Sequence, residues 1–229
     1  MNLSKALFFG GTSEIALEIS KKLKKYYDIT SFSRSISANK NYTKEIKINF
    51  NKKIFPKKKI NKNLKSKFSL VVFFQAYQPK YNKNFYDLKY NFINEVINVN
   101  AIFSIKIITY LIKKKFLKKN CKIVFFSSRS GSIFERGKFN YHKPGGNNLY
   151  RASKAILNSF IKNISYEYNS LDHIFIAYDP GWAKTKSSGG MRKGLSKKIV
   201  SKKFLQNILK FKKKHSGKFI DLNFKIIPW

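Results

Sequence analysis

Apolar residues fall along this chain in two rhythms. Short continuous runs have the length and aromatic or β-branched content of strands buried on both faces. They are Lys5-Ala6-Leu7-Phe8-Phe9, Ser69-Leu70-Val71-Val72-Phe73-Phe74, Lys122-Ile123-Val124-Phe125-Phe126 and Ile174-Phe175-Ile176-Ala177-Tyr178. Residues 27–33 and 46–50 read as two further strands, and residues 218–222 as a last one. Only about ten residues part the second strand from the third, so any helix between them is vestigial.

Elsewhere the period lengthens to that of a helix. A helix runs from the Gly10-Gly11-Thr12-Ser13 turn to Lys25. A long one over residues 90–116 places Phe92, Val96, Val99, Phe103 and Ile107 on one face. Residues 148–168 form another, with Ala152, Ala155, Ile156, Phe160 and Ile164 expected inward, and residues 196–213 a last. The Lys- and Asn-rich stretch 51–67 reads as loop with a short helix. Strands alternating with helices imply right-handed crossovers and an α/β fold, a Rossmann-type doubly wound parallel sheet of about seven strands. With no internal repeat or linker, residues 1–229 are expected to form a single domain.

Composition changes this picture little. Hydrophobic residues make up 43% of the 229, with 22 Phe and 13 Tyr, which is ample material for a core. No stretch of eighteen apolar residues free of charge occurs, so no membrane span is expected. The first strand follows Met1 within a few residues, leaving no room for a signal peptide. With a lone Cys121 and no export signal, the expected compartment is the reducing cytoplasm.

The formal charge of +37 suggests a polyanion partner. Its make-up argues otherwise: 43 of the 48 basic residues are Lys and 5 are Arg, namely Arg34, Arg129, Arg136, Arg151 and Arg192. Phe, Ile, Asn and Tyr are inflated alongside Lys, as an A+T-rich genome would produce. Readers of nucleic acid lean on Arg for bidentate contacts, and no zinc-finger or helix-turn-helix pattern is present. Dedicated nucleic-acid binding is therefore not expected. His142, His173 and His215 lack ligand spacing, so no metal is expected either.

The chemistry begins at the first strand–turn–helix, where Gly10 permits a tight turn and the amides opening the helix face a pyrophosphate. The second strand ends Ser31-Phe32-Ser33-Arg34. An acid there would hold the ribose hydroxyls of NAD, whereas Arg34 suits the 2′-phosphate of NADP. The expected cofactor is NADP (NADPH), with NAD as the alternative.

Tyr150-Arg151-Ala152-Ser153-Lys154 places a phenol and an ammonium on one helical face. In so Lys-rich a chain roughly two Tyr-x-x-x-Lys matches arise by chance, and the other, Tyr110 with Lys114, lies deep in the long helix. Context favours Tyr150, which opens a helix soon after a strand ending Ser127-Ser128-Arg129-Ser130-Gly131. An ammonium one turn away, with an oxidised nicotinamide, favours phenolate and makes Tyr an acid–base group. A serine beside it can hydrogen-bond a substrate oxygen. An Asn of the long helix, Asn100 ahead of Asn98, can anchor a water to the Lys for proton relay.

Ser127-Ser128-Arg129-Ser130-Gly131-Ser132-Ile133, Gly145-Gly146, Tyr150 through Asn158, Asp179-Pro180-Gly181-Trp182-Ala183-Lys184-Thr185, Gly189-Gly190 and the tail Ile227-Pro228-Trp229 resemble the C-factor/sniffer-type carbonyl reductase branch of the short-chain dehydrogenases. The resemblance spans nearly the whole chain. It implies a catalytic tetrad of Asn100, Ser128, Tyr150 and Lys154, with Ser127 and Ser130 as alternatives to Ser128. It also implies a cofactor site of Gly10, Thr12, Ser13, Ile15, Arg34, Ala76, Tyr150, Lys154, Pro180, Gly181 and Thr185. The implied partner is a small carbonyl or alcohol, and homo-oligomers through the long helices are common in such proteins. A catalytically weak NADP-binding signalling protein is the alternative.

The adenosine end departs from the family pattern. Glu14 and Ala16 stand where later glycines are usual, Gln75-Ala76-Tyr77 replaces Asn-Ala-Gly, and Asn49 replaces a common Asp. These changes predict a reshaped adenosine pocket. Arg129 and Arg136 could face an acidic substrate but read rather as solvated loop charges, and Trp182 and Trp229 either line a pocket or pack. An epimerase of the longer related class is disfavoured, because only about seventy-five residues follow Lys154, too few for a substrate domain.

Overall fold

The computed structural model describes residues 3–51, 55–78, 88–137, 147–186 and 194–229. His142, Gly145, Gly146, Gly189, Gly190 and Arg192 lie outside them. Seven strands pair in parallel: β1 (Ser4–Phe9), β2 (Tyr27–Ser33), β3 (Lys44–Lys47), β4 (Phe68–Phe73), β5 (Leu117–Phe126), β6 (Ile174–Asp179) and β7 (Lys218–Asp221). Their order is β3-β2-β1-β4-β5-β6-β7, so the winding reverses between β1 and β4. A crevice opens past the carboxyl ends of the strands at such a switch point.

Strand alternation sorts the aromatic residues into two layers. On one face, register pairs Phe9 with Phe32 and Phe73, and Phe73 with Phe125. Their rings stack in a row at 5.3, 5.0 and 4.6 Å between centroids. Partners on adjacent parallel strands bring such rings together, and each buried Phe contributes about 2 kcal/mol. Phe8, Phe74, Phe126 and Tyr178 fill the other face.

Helices α1 (Glu14–Leu23) and α6 (Lys197–Lys210) cover the Phe8 face through Ala16, Ile19, Leu23, Val200, Phe204 and Ile208. The Phe9 face is covered by α3 (Tyr90–Ile97), α4 (Phe103–Lys113) and α5 (Asn148–Glu167). The short α2 (Lys57–Asn63) lies in the polar stretch after β3. Residues Tyr90–Lys113 are long and apolar enough to cross a membrane, but Val99, Phe103, Ile107 and Leu111 are buried against the sheet.

Two elements differ from the sequence expectation. The long helix is broken by a π-helical turn, Asn98–Ile102, which hydrophobic periodicity does not reveal. The inward face of α5 is Leu149, Ser153, Lys154, Leu157, Asn158, Ile161 and Ile164, whereas Ile156 is exposed and Ala152 faces outward. The stripe toward the sheet holds polar residues because β5 ends there in groups that need partners. Smaller shifts occur at edges: β3 pairs only over Lys44–Lys47, although Ile48 and Phe50 beyond it stay buried.

Candidate active site

The turn after β1 is fixed from below. Gly10 takes φ +81°, and a Cβ there would fall 2.6 Å from the Gln75 amide nitrogen, so only glycine lets the ends of β1 and β4 approach this closely. The Thr12 amide donates to Ser33 Oγ at 3.2 Å, and the Tyr42 hydroxyl donates to the Gly11 carbonyl at 2.6 Å. Ser13 caps α1, its Oγ accepting from the Ala16 amide at 3.2 Å. Ile15 reaches the cleft wall.

Glu14 turns toward α6. Its carboxylate pairs with Lys197 Nζ at 2.8 Å and accepts from the Lys186 amide at 3.3 Å. The Lys197 hydrogen bond lowers its pKa most, against partial desolvation. Arg34 is exposed just past β2, and Ala76 is exposed past β4. An open turn at a capped helix start, with a cation beyond the neighbouring strand, fits a dinucleotide phosphate group.

The π-helical turn carries Asn100, which is 1% exposed. Its Oδ1 accepts from the Tyr77 amide at 2.6 Å, and its Nδ2 donates to the Tyr77 carbonyl and to Ser153 Oγ, each at 2.9 Å. The carboxamide is thus engaged by the chain past β4 and by α5. Asn98 points elsewhere, lining a small hollow with Phe50 and Phe103. The Tyr77 ring meets Phe92 edge-on at 6.1 Å, which turns its bulk toward α3.

Past β5 the serines separate. Ser127 is buried and donates to Asn158 Oδ1 on α5. The Ser128 hydroxyl accepts from the Ser130 amide at 3.2 Å and lines the same cleft as Tyr150. Gly131 permits this arrangement, since a Cβ there would lie 2.8 Å from the Lys154 backbone. Lys154, 1% exposed, sits with Nζ 5.8 Å from the Tyr150 ring centre and donates to the Phe126 carbonyl at 2.8 Å. Burial pushes the Tyr150 phenol up to about 12, with the Ser128 hydrogen bond opposing, and pushes the Lys154 ammonium down to about 8.

Ser128 and Tyr150 face a cleft of about 810 Å³ also lined by Pro180, Gly181, Trp182 and Thr185. The second tryptophan, Trp229, stacks on Phe219 at 5.6 Å, so the two have different tasks. His173 is buried beside Phe175, and His215 accepts from the Lys212 amide.

Arg129 is not the solvated loop charge the sequence suggested. Its guanidinium meets Glu135 at 2.6 Å, Asp221 at 3.4 Å and Asp179 at 3.9 Å. Burial raises Asp179 to about 6, with Arg129 pulling the other way. These partners lie 6, 92 and 50 residues from Arg129. No local pattern could have joined them.

The chain matches no protein-family profile. It is 24% identical over 143 residues to C-signal of Myxococcus xanthus, which covers 62% of this chain and 82% of that protein. Among solved structures it resembles the carbonyl reductase Sniffer of D. melanogaster, with a TM-score of 0.82, 19% identity and all of both chains covered. It also resembles an NADPH-bound carbonyl reductase from chicken fatty liver, with a TM-score of 0.83, 18% identity and coverage of 100% and 96%. A short-chain dehydrogenase/reductase of Burkholderia multivorans with bound NADP gives a TM-score of 0.81 at 16% identity over all of both chains. The chain has the short-chain dehydrogenase/reductase fold.

Proposed function

We propose that this protein is an NADPH-dependent carbonyl reductase acting on small molecules as one domain in the cytoplasm. The observation that carries the reading is that Ser128 and Tyr150 line one cleft at the carboxyl ends of β5 and β6, with Lys154 buried behind Tyr150. Gly10, Thr12, Ser13, Ile15, Arg34, Ala76, Pro180, Gly181 and Thr185 are the residues we assign to the dinucleotide. When bound, the nicotinamide supplies a hydride to the carbonyl carbon. Ser128 Oγ hydrogen-bonds the carbonyl oxygen, and the Tyr150 phenol, still protonated at neutral pH, gives that oxygen its proton. Lys154 holds positive charge beneath the phenol and offsets phenolate as it forms. Asn100 is a positioning residue, because it ties Tyr77 to Ser153, the neighbour of Lys154.

The NADP- and NADPH-bound state of two neighbours supports the cofactor, and Arg34 favours NADPH over NADH. A thermal-shift titration tests this: NADPH should raise Tm more than NADH at equal concentration. Tyr150→Phe should bind NADPH like the parent yet lose turnover on every aldehyde or ketone that the parent reduces. A Tyr150→Phe protein with parental turnover removes the mechanism. The likeness to C-signal and the bulky Tyr77 favour a second reading, a weakly catalytic NADP-binding signalling protein. NADPH binding without oxidation across a broad carbonyl panel would establish it.

A further inference from the structure

The strands are all parallel, so the helix-to-strand connections return to the amino end of the sheet, opposite the cleft. Four of these connections carry an unusual share of the charge. Residues 21–25, 62–67, 113–119 and 210–214, a tenth of the chain, hold 16 of its 43 lysines. They lead from α1 to β2, from α2 to β4, from α4 to β5 and from α6 to β7. These runs lie far apart in sequence, and the topology sets them side by side.

Contacts join the connections into one surface. The Ser4 amide donates to the Tyr26 carbonyl at 3.2 Å, and Lys5 Nζ donates to Ser66 Oγ at 2.9 Å. The Phe68 amide donates to the Phe116 carbonyl at 2.8 Å. Lys119 meets Asp172 at 3.5 Å, and Lys213 Nζ donates to the Asn169 carbonyl at 2.5 Å. From β2 to β7 this surface is about 24 Å wide, the span of five strand spacings.

Fourteen of the sixteen lysines are exposed and the other two are partly exposed. Two of them pair with acids, Lys21 with Glu18 and Lys119 with Asp172. Asp28 and Glu167 also stand at this end, whereas Glu14, Glu135, Asp179 and Asp221 stand at the cleft end. A helix C-terminus favours cations in its last turn, but these runs continue past the helices toward the strands. Like charges so gathered repel one another, and an opposing anionic surface relieves the repulsion.

Two features select the kind of anion. The four described arginines, Arg34, Arg129, Arg136 and Arg151, all lie at the cleft end. The lysine face therefore offers point charges without the forked donors that read nucleotides. Tyr26, Tyr166, Leu171 and Leu209 are exposed at the same end, and such side chains suit the boundary between headgroups and acyl chains. We propose that the amino end of the sheet docks on an anionic lipid bilayer, leaving the cleft open to solvent on the far side. This surface does not depend on the reductase reading.

The test is cosedimentation of the full chain, at physiological salt, with vesicles of phosphatidylcholine alone or with about one-third phosphatidylserine. The parent should bind the mixed vesicles at least about thirtyfold more tightly. Lys24→Gln/Lys65→Gln/Lys114→Gln/Lys118→Gln should weaken that binding about a hundredfold or more, since each lysine near an anionic leaflet contributes about fivefold. Lys57→Gln/Lys58→Gln/Lys59→Gln/Lys198→Gln removes the same charge from the starts of α2 and α6, at the other end. Screened from the bilayer by salt, that variant should stay within about threefold of the parent. All eight side chains are exposed, so neither variant should lower Tm. Equal affinity of the parent for the two vesicles overturns the proposal. Equal weakening in the two variants also overturns it, because the attraction then belongs to net charge alone. Tighter binding to a single-stranded RNA than to the mixed vesicles, lost in the first variant, overturns the lipid and assigns the face to nucleic acid.

Discussion

At the Tyr150 end of the cleft, polar side chains are held by other side chains or by backbone groups. At the Gly10 end, the structure relies on main-chain shape and one exposed cation. Lys154 is fastened to the Phe126 carbonyl, Asn100 to Tyr77 and Ser153, and Ser128 to the Ser130 amide. Against that, Arg34 stands in solvent beyond β2, and the turn is shaped by Gly10 and supported by Ser33 and Tyr42. A proton-transfer site needs fixed positions and shifted acidities, which burial supplies. A phosphate needs amides and positive charge, which many sequences can furnish, so this end tolerates Glu14 and Tyr77 where glycines are usual.

The contrast breaks most sharply at Tyr150. Tyr150→Phe should lower kcat/KM by about a thousandfold, within the range of a lost general acid, with no loss of Tm. At the other end, Arg34→Glu should reduce the NADPH-over-NADH preference by about thirtyfold, through the KM of the cofactor with little change in kcat. Comparable losses of kcat from the two substitutions would erase the distinction between the ends.

Buried positions make a second set, read in stability. Asn100→Ala leaves the Tyr77 amide and carbonyl without their partner and should cost about 2 kcal/mol in denaturant unfolding. Lys154 has a folded pKa near 8, below the ordinary 10.5 of a lysine, so its burial opposes folding while it is charged. Parental stability should therefore rise as pH climbs from about 8 to 10.5, relative to Lys154→Met, which lacks the titrating group. An unchanged difference across that window would show that the ammonium is not desolvated. The smallest effect is expected at Asp179, whose folded pKa near 6 exceeds the ordinary 3.8. Stability should fall slightly as pH rises from about 4 to 6 in the parent, and Asp179→Asn should flatten that slope.

Much of this was legible in the residues. The buried runs at Phe8, Val72, Val124 and Ile176 mark the central strands because a parallel sheet covered on both faces needs continuous apolar side chains. Gly10 marks the turn, and Tyr150 with the preceding serines marks the cleft. The inward face of α5 was misread for a physical reason: a hydrophobic pattern ranks Ile156 above Lys154, whereas the site buries Lys154, Ser153 and Asn158 and leaves Ile156 outside. The π-helical turn leaves no trace in periodicity, since one added residue shifts the apolar face without removing it. The Arg129 cluster joins residues from three separate segments and exists only in three dimensions.

Among the described residues Lys154 is the only lysine that is buried. The amines that give the molecule its basic exterior and the amine beside Tyr150 therefore belong to two separately reachable populations. A reagent that acylates lysines should strip the outer charge and carry the isoelectric point down from about 10.2 before it reaches this one. The colloidal behaviour of the protein and its chemistry can then be altered independently.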